Sequence, residues 1–181
     1  LLGLHAGQFD IETAFLYGDL EEELWMSLPD GYEDYLQARG INTSNKTHCL
    51  KLDKAIYGLV QAARQWWKRF TEVMDGLGFE PSKADPCLYV KKNLKSFEQS
   101  AFVILYVDDG GIFGTKEEIK QIIEALRKEF KVKDLGPLEN FVGCKISHNL
   151  TDKVKTLSIT QPKLIKHLEE AIKHAEMNHA E

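Results

Sequence analysis

The 181 residues contain no long apolar run. No stretch approaches the ~20 consecutive apolar residues of a membrane helix, and no leader pattern opens the chain, so no membrane partner is expected. Cysteine is scarce. Cys49, Cys87 and Cys144 are odd in number, far apart and outside any Cys-x-x-Cys spacing, which argues against a disulfide framework or a zinc site and fits reduced thiols in a cytosolic or nuclear compartment. The six histidines are scattered, and His167 and His174, on a helical stretch, read as surface residues. There is no internal repeat. Basic residues are also nearly absent from the first quarter: residues 1–45 carry Arg39 alone against nine acids, a balance of −8.

Residues 46–95, by contrast, carry ten Lys and Arg against five acids, a balance of +5. The overall charge of −5 hides this stretch, and the middle of the chain is the one segment suited to an anionic ligand. The length is that of one domain, or part of a larger one, with enough chain to bury a core.

The most informative stretch is residues 102–113, where Phe-Val-Ile-Leu-Tyr-Val runs into Asp108-Asp109-Gly110-Gly111. Six apolar residues predict a strand buried on both faces, and Asp109-Gly110 predicts the hairpin turn. Two readings follow for the acids. They form a solvated hairpin tip, or they are a cation site, because adjacent buried carboxylates need a counter-charge.

Elsewhere, Leu1 to Gly7 reads as the end of a helix, and Gln8 to Leu16 as a strand with Asp10 and Glu12 opposite Phe9 and Ile11. Glu21 to Glu23 read as a solvated face. Residues 33–48 form a polar, mobile excursion, and Leu50 to Leu52 a short strand. Ala62, Trp66, Phe70, Val73 and Leu77 recur at helical spacing, predicting a helix over 61–77 that buries Trp66 and Phe70 and exposes Arg64 and Lys68. Cys87 to Val90 is a strand, 91–100 a polar hairpin, and Thr115 with Glu118 a capping box. Phe141 to Ile146 pairs with Leu157 to Ile159, and Thr160 caps a last helix that buries Leu164, Leu168 and Ile172. This order predicts an α+β fold, an antiparallel sheet with helices packed on one face.

Five segments, in this order, carry a resemblance: Phe-Asp-Ile-Glu-Thr-Ala-Phe-Leu-Tyr-Gly-Asp-Leu-Glu-Glu-Glu from Phe9, Ile-Tyr-Gly-Leu-Val-Gln-Ala-Ala-Arg-Gln-Trp-Trp from Ile56, Ser-Lys-Ala-Asp-Pro-Cys-Leu-Tyr-Val from Ser82, Tyr106-Val107-Asp108-Asp109, and Lys133-Asp134-Leu135-Gly136. Together they resemble the reverse transcriptase of Ty1/copia-type LTR retrotransposons over nearly the whole chain. The resemblance implies a polymerase palm over 1–135, with a hairpin and helix at 136–181 leading toward a thumb. It implies an RNA-directed DNA polymerase that adds deoxynucleotides to a primer 3′-hydroxyl by two-metal phosphoryl transfer.

By motif match, Asp10, Asp108 and Asp109 are the catalytic, metal-holding carboxylates for two Mg²⁺ ions, with Mn²⁺ as a substitute. Asp10 and Asp108 rank above Asp109 and are expected to reach one metal together. Phe15 resembles the aromatic gate that excludes a ribose 2′-hydroxyl, although a buried core aromatic reads equally well. Gln61 resembles the glutamine that lies against the incoming nucleotide, and Tyr106 the aromatic beside the primer end. Arg64 and Lys68 match positions near nucleic-acid phosphates; as exposed charges they read more readily as solvated surface.

The implied partners are an RNA or DNA template with its primer, deoxynucleoside triphosphates, and the fingers and RNase H segments of a longer polyprotein, in a cytoplasmic virus-like particle or the nucleus. Three departures stand out: Gly110 and Gly111 replace apolar residues, Val60 a basic residue, and Ala63 a proline. Glycines weaken a strand and invite a register slip. They favour a second reading, a decayed or co-opted palm serving as a non-catalytic nucleic-acid or protein scaffold. A third reading is an unrelated α+β binding module.

Overall fold

A computed structural model describes residues 4–92, 100–149 and 156–178. The fold is α+β with antiparallel sheets. It divides into two compact units, one of Leu1–Glu12 with Val73–Glu181 and one of Thr13–Glu72.

In chain order the elements are β1 (His5–Ile11), a 3-10 turn (Ala14–Tyr17), β2 (Asp19–Met26), α1 (Tyr32–Gln37), β3 (Leu50–Lys54), α2 (Ala62–Gly76), β4 (Glu80–Pro81), β5 (Leu88–Lys91), β6 (Ala101–Tyr106), β7 (Asp109–Gly114), α3 (Lys116–Glu129), β8 (Val132–Pro137), β9 (Asn140–Phe141), β10 (Cys144–Asn149), β11 (Thr156–Thr160) and α4 (Pro162–Asn178).

The larger unit is built on a six-stranded sheet in the order β4-β5-β6-β7-β1-β8. Alternation assigns its faces. In β1, Gly7, Phe9 and Ile11 are buried while Gln8 and Asp10 are half-exposed. In β6, Ala101, Val103 and Leu105 are buried while Phe102 and Ile104 are half-buried, so the run expected to be buried on both faces is fully buried on one. Helix α3 packs on β1, β7 and β8, and Ile119 lies so close over Gly7 that a Cβ there would come within 2.9 Å of it. The helix therefore covers the Phe9/Ile11 face, and Asp10 lies on the other.

The start of α3 follows the expected chemistry. Thr115 accepts from the Glu118 N–H at 3.2 Å, and Glu118 accepts from the Thr115 N–H at 2.8 Å, a reciprocal capping box. Ile122, Ile123 and Leu126 form its buried stripe.

Six expectations are corrected. Gly7 belongs to a strand, not to a helix end. Strand β1 stops at Ile11, and Thr13 takes a left-handed backbone into the 3-10 turn. The β6–β7 turn is Val107-Asp108, because Tyr106 pairs with Asp109; Asp109-Gly110 lies inside the strand. Residues 33–48 include the helix α1. In α4, Leu164, Leu168 and Ile172 are 50%, 54% and 58% exposed rather than buried, and Gln161, whose carbonyl accepts from the Ile165 N–H, stands at the cap in place of Thr160. The hairpin expected at 91–100 falls mainly on 93–99, outside the described residues.

The smaller unit pairs β2 with β3 and includes most of α2. Trp66 and Phe70 are buried, with ring centroids 5.5 Å apart. Gly18 lets α2 come close: a Cβ there would lie 2.9 Å from the backbone of Gln65 and Trp66.

Candidate active site

The acids converge at one end of the larger unit's sheet. Asp10 and Asp109 stand directly opposite each other in the β1–β7 ladder, so their side chains leave the sheet on the same face. The Ile11 N–H donates to the Asp108 carbonyl at 2.9 Å, which makes Ile11–Asp108 a hydrogen-bonded position. Asp10–Asp109, one step along, is then the non-hydrogen-bonded kind, where Cα atoms approach to about 4.5 Å and side chains are closest.

Burial, and then the charges of Asp108 and Asp10, push the Asp109 carboxyl above its ordinary range. This is what carboxylates sharing a site do, and a cation relieves it. Among the described residues, no group of three or more His, Cys, Asp and Glu side chains forms a ready cation cage. A facing carboxylate pair suits Mg²⁺ all the same, because that ion usually takes one or two protein carboxylates, keeps several waters and shares the phosphates of a substrate. The donor set, hard oxygens throughout, fits the ion that the family resemblance implies.

Val107, at the first position of the turn, has φ of 57°, a left-handed conformation that β-branched residues rarely adopt. Tyr106 pairs with Asp109 across the hairpin and is 56% exposed, so its ring lies on the acid face. Gly110 and Gly111 sit in register, paired with Phe9 and Gln8 on one side and with Leu105 and Ile104 on the other. The slip they seemed to invite does not occur.

On the far side of β1, Lys133 of β8 stands opposite Asp10. Its Nζ lies 3.0 Å from Glu12 Oε1, and Lys131 Nζ lies 2.5 Å from Glu12 Oε2. Hydrogen bonds from Lys131 and Lys133 hold the Glu12 carboxyl below its ordinary range, and the bond to Glu12 raises the Lys133 ammonium above its own. This trio was not foreseen as part of a site. Its signal lay in the sequence: Glu12 shares the strand face of Asp10, and Lys133 opens the last of the five motifs.

The remaining candidates belong to the smaller unit. Phe15 is half-buried in the 3-10 turn, its ring 4.5 Å from that of Tyr57. Arg64 is exposed on α2 as expected, whereas Lys68, also expected to be exposed, is half-buried with its ammonium on Glu21. Acids of β2 already engage this helix: Lys68 bonds Glu21, and Gln61 donates to Glu22 Oε1 at 2.7 Å. Glu23 pairs with Lys51 at 2.5 Å, so all three glutamates of the expected solvated face have partners while remaining exposed.

Comparison with known proteins gives one answer. Residues 3–181 match the family model described as reverse transcriptase (RNA-dependent DNA polymerase). The chain is 40% identical over 161 residues to the retrovirus-related Pol polyprotein from transposon TNT 1-94 of Nicotiana tabacum, covering 87% of this chain and 11% of that protein. It is 34% identical over 137 residues to the corresponding polyprotein from transposon RE2 of Arabidopsis thaliana, covering 75% of this chain and 9% of that protein. It is 26% identical over 151 residues to the putative transposon Ty5-1 protein of Saccharomyces cerevisiae, covering 83% of this chain and 45% of that protein. No solved structure shows a significant match. The chain thus spans about a tenth of the plant polyproteins it matches, and it belongs to the reverse transcriptase (RNA-dependent DNA polymerase) family, of the kind found in Ty1/copia-type retrotransposons.

Proposed function

We propose that residues 1–135 are the palm of a polymerase that copies a primed RNA or DNA template with deoxynucleoside triphosphates, and that 136–181 lead toward its thumb. The observation that carries this reading is the facing pair Asp10–Asp109, with Asp108 at the adjoining turn, in a chain of this family. Asp10, Asp108 and Asp109 would hold two Mg²⁺ ions. Bound there, the ions would acidify the primer 3′-hydroxyl and stabilise the triphosphate and its leaving pyrophosphate.

The protein's own contribution is position. The ladder fixes Asp10 against Asp109, the Ile11–Asp108 bond fixes the turn, and the exposed Tyr106 ring offers an apolar surface on the acid face where the primer end would lie. In the smaller unit, Gln61 and Phe15 would contact the incoming nucleotide, and Arg64 and Lys68 the phosphates of the template or primer.

Primer extension by the longer polymerase containing this chain tests the reading. Asp10→Asn and Asp108→Asn should each reduce synthesis by more than the roughly 10–100-fold typical of losing a metal's outer-shell partner, with folding intact by circular dichroism. Synthesis by Asp10→Asn at the unsubstituted rate would overturn it.

A further inference from the structure

The β1–β8 register creates a hazard for any cation held by Asp10. Lys133 is its direct ladder partner, so the two Cα atoms lie about 5 Å apart. A lysine stem easily spans that gap, and an ammonium on Asp10 would occupy the oxygens a metal needs. Yet among the described residues Asp10 has no ion pair. The Lys133 ammonium bonds Glu12, just past the end of β1, and Lys131, just before β8, closes on the same carboxylate. The Glu12 N–H also donates to the Lys131 carbonyl at 3.0 Å, so the backbone fixes Glu12 where both ammoniums can reach it.

Resting on the proposed metal role of Asp10, we propose that Glu12 is a positioning residue: by holding Lys133 and Lys131, it keeps their ammonium groups off the Asp10 carboxylate and leaves that carboxylate to a divalent cation. Glu12 itself touches neither metal nor substrate. It acts through the lysines, and its removal releases Lys133 onto Asp10.

The test is Mn²⁺ binding by the polymerase containing this chain, measured by electron paramagnetic resonance without nucleotide, so that the readout is occupancy rather than synthesis. Exposed ion pairs are weak, so Glu12→Gln should weaken Mn²⁺ binding about two- to fivefold. Lys133→Met in the Glu12→Gln background should restore it. The same Lys133→Met change in the otherwise unsubstituted protein should alter it little, because Glu12 already holds that lysine away.

This non-additivity separates positioning from through-space charge. An equal gain from Lys133→Met in both backgrounds, or unchanged binding by Glu12→Gln, overturns the inference. Asp10→Asn separates it from the reading it rests on. If Asp10→Asn binds Mn²⁺ as the unsubstituted protein does, the metal role of Asp10 falls and this inference with it; if Asp10→Asn loses binding while Glu12→Gln does not, only the role of Glu12 falls.

Discussion

Gly110 has no room for a side chain. A Cβ there would lie 2.0 Å from the Phe9 ring, its partner across the β1–β7 ladder. The glycine that reads in sequence as a sign of decay is matched to a large aromatic on the covered face. Gly110→Val should therefore destabilise the protein by about 2–3 kcal/mol through overpacking, seen as a lower denaturation midpoint, and Phe9→Val should recover much of that loss in the double variant. Additive losses would show that the two positions do not interact.

Asp109 makes the opposite kind of statement. Its carboxyl is raised by burial and by Asp108 and Asp10, so the folded state holds the proton more tightly than the unfolded chain. Stability without metal then falls as pH rises from the ordinary carboxylate range through the raised value, and the penalty is complete once the pH is above that raised value. Asp109→Asn should raise the melting temperature in EDTA at neutral pH, and the advantage should disappear as the pH is lowered into the acid range. The motif singled out Asp10, Asp108 and Asp109 as candidates, and the ladder sets Asp10 opposite Asp109. The clash at Gly110 was not, because it depends on a partner about 100 positions away and on a register that composition does not encode.

Among the elements, the two helices with strong local signals were read best, whereas α1 was missed and α4 does not bury the stripe expected of it. The apolar spacing of α2 and the capping box of α3 are local signals, and both appear as expected. Thr115→Ala should cost about 1 kcal/mol, measured by chemical denaturation. Strands were read less well. β8 was seen only as a motif, because Val132–Pro137 has weak alternation and ends in glycine and proline, residues tolerated at a sheet edge. The turn was misplaced because Asp-Gly is a strong local hairpin signal, whereas the ladder fixes Val107 in a conformation valine dislikes.

At the start of α2 and along it, the bonds that Gln61 and Lys68 donate to Glu22 and Glu21 mean that a phosphate must displace a carboxylate before it can use that surface. Such exposed pairs are worth at most about 1 kcal/mol. Glu21→Gln with Glu22→Gln should tighten primer–template binding by the longer polymerase at low salt, with the difference vanishing as salt rises. Unchanged affinity would show that this face does not meet nucleic acid.

For the whole molecule, charge and sheet order matter most. With a net charge of −5, this 181-residue chain alone should bind primer–template weakly and with a shallow dependence on salt, since that slope counts the phosphates neutralised. Fluorescence anisotropy across a salt series checks it; a steep slope would reveal a basic surface that the sequence hides.

The sheet order places β1 between β7 and β8, strands that follow it by about 100 residues of synthesis. At roughly 5–20 residues per second, β1 leaves the ribosome some 5–20 seconds before either neighbour exists to pair with it. Until then its two edges are open to wrong partners, and non-local pairing of this kind is slow to form. A translation product that stops before Asp109 therefore contains Asp10 but neither ladder that frames it, so premature termination leaves a chain with open strand edges that is prone to aggregate.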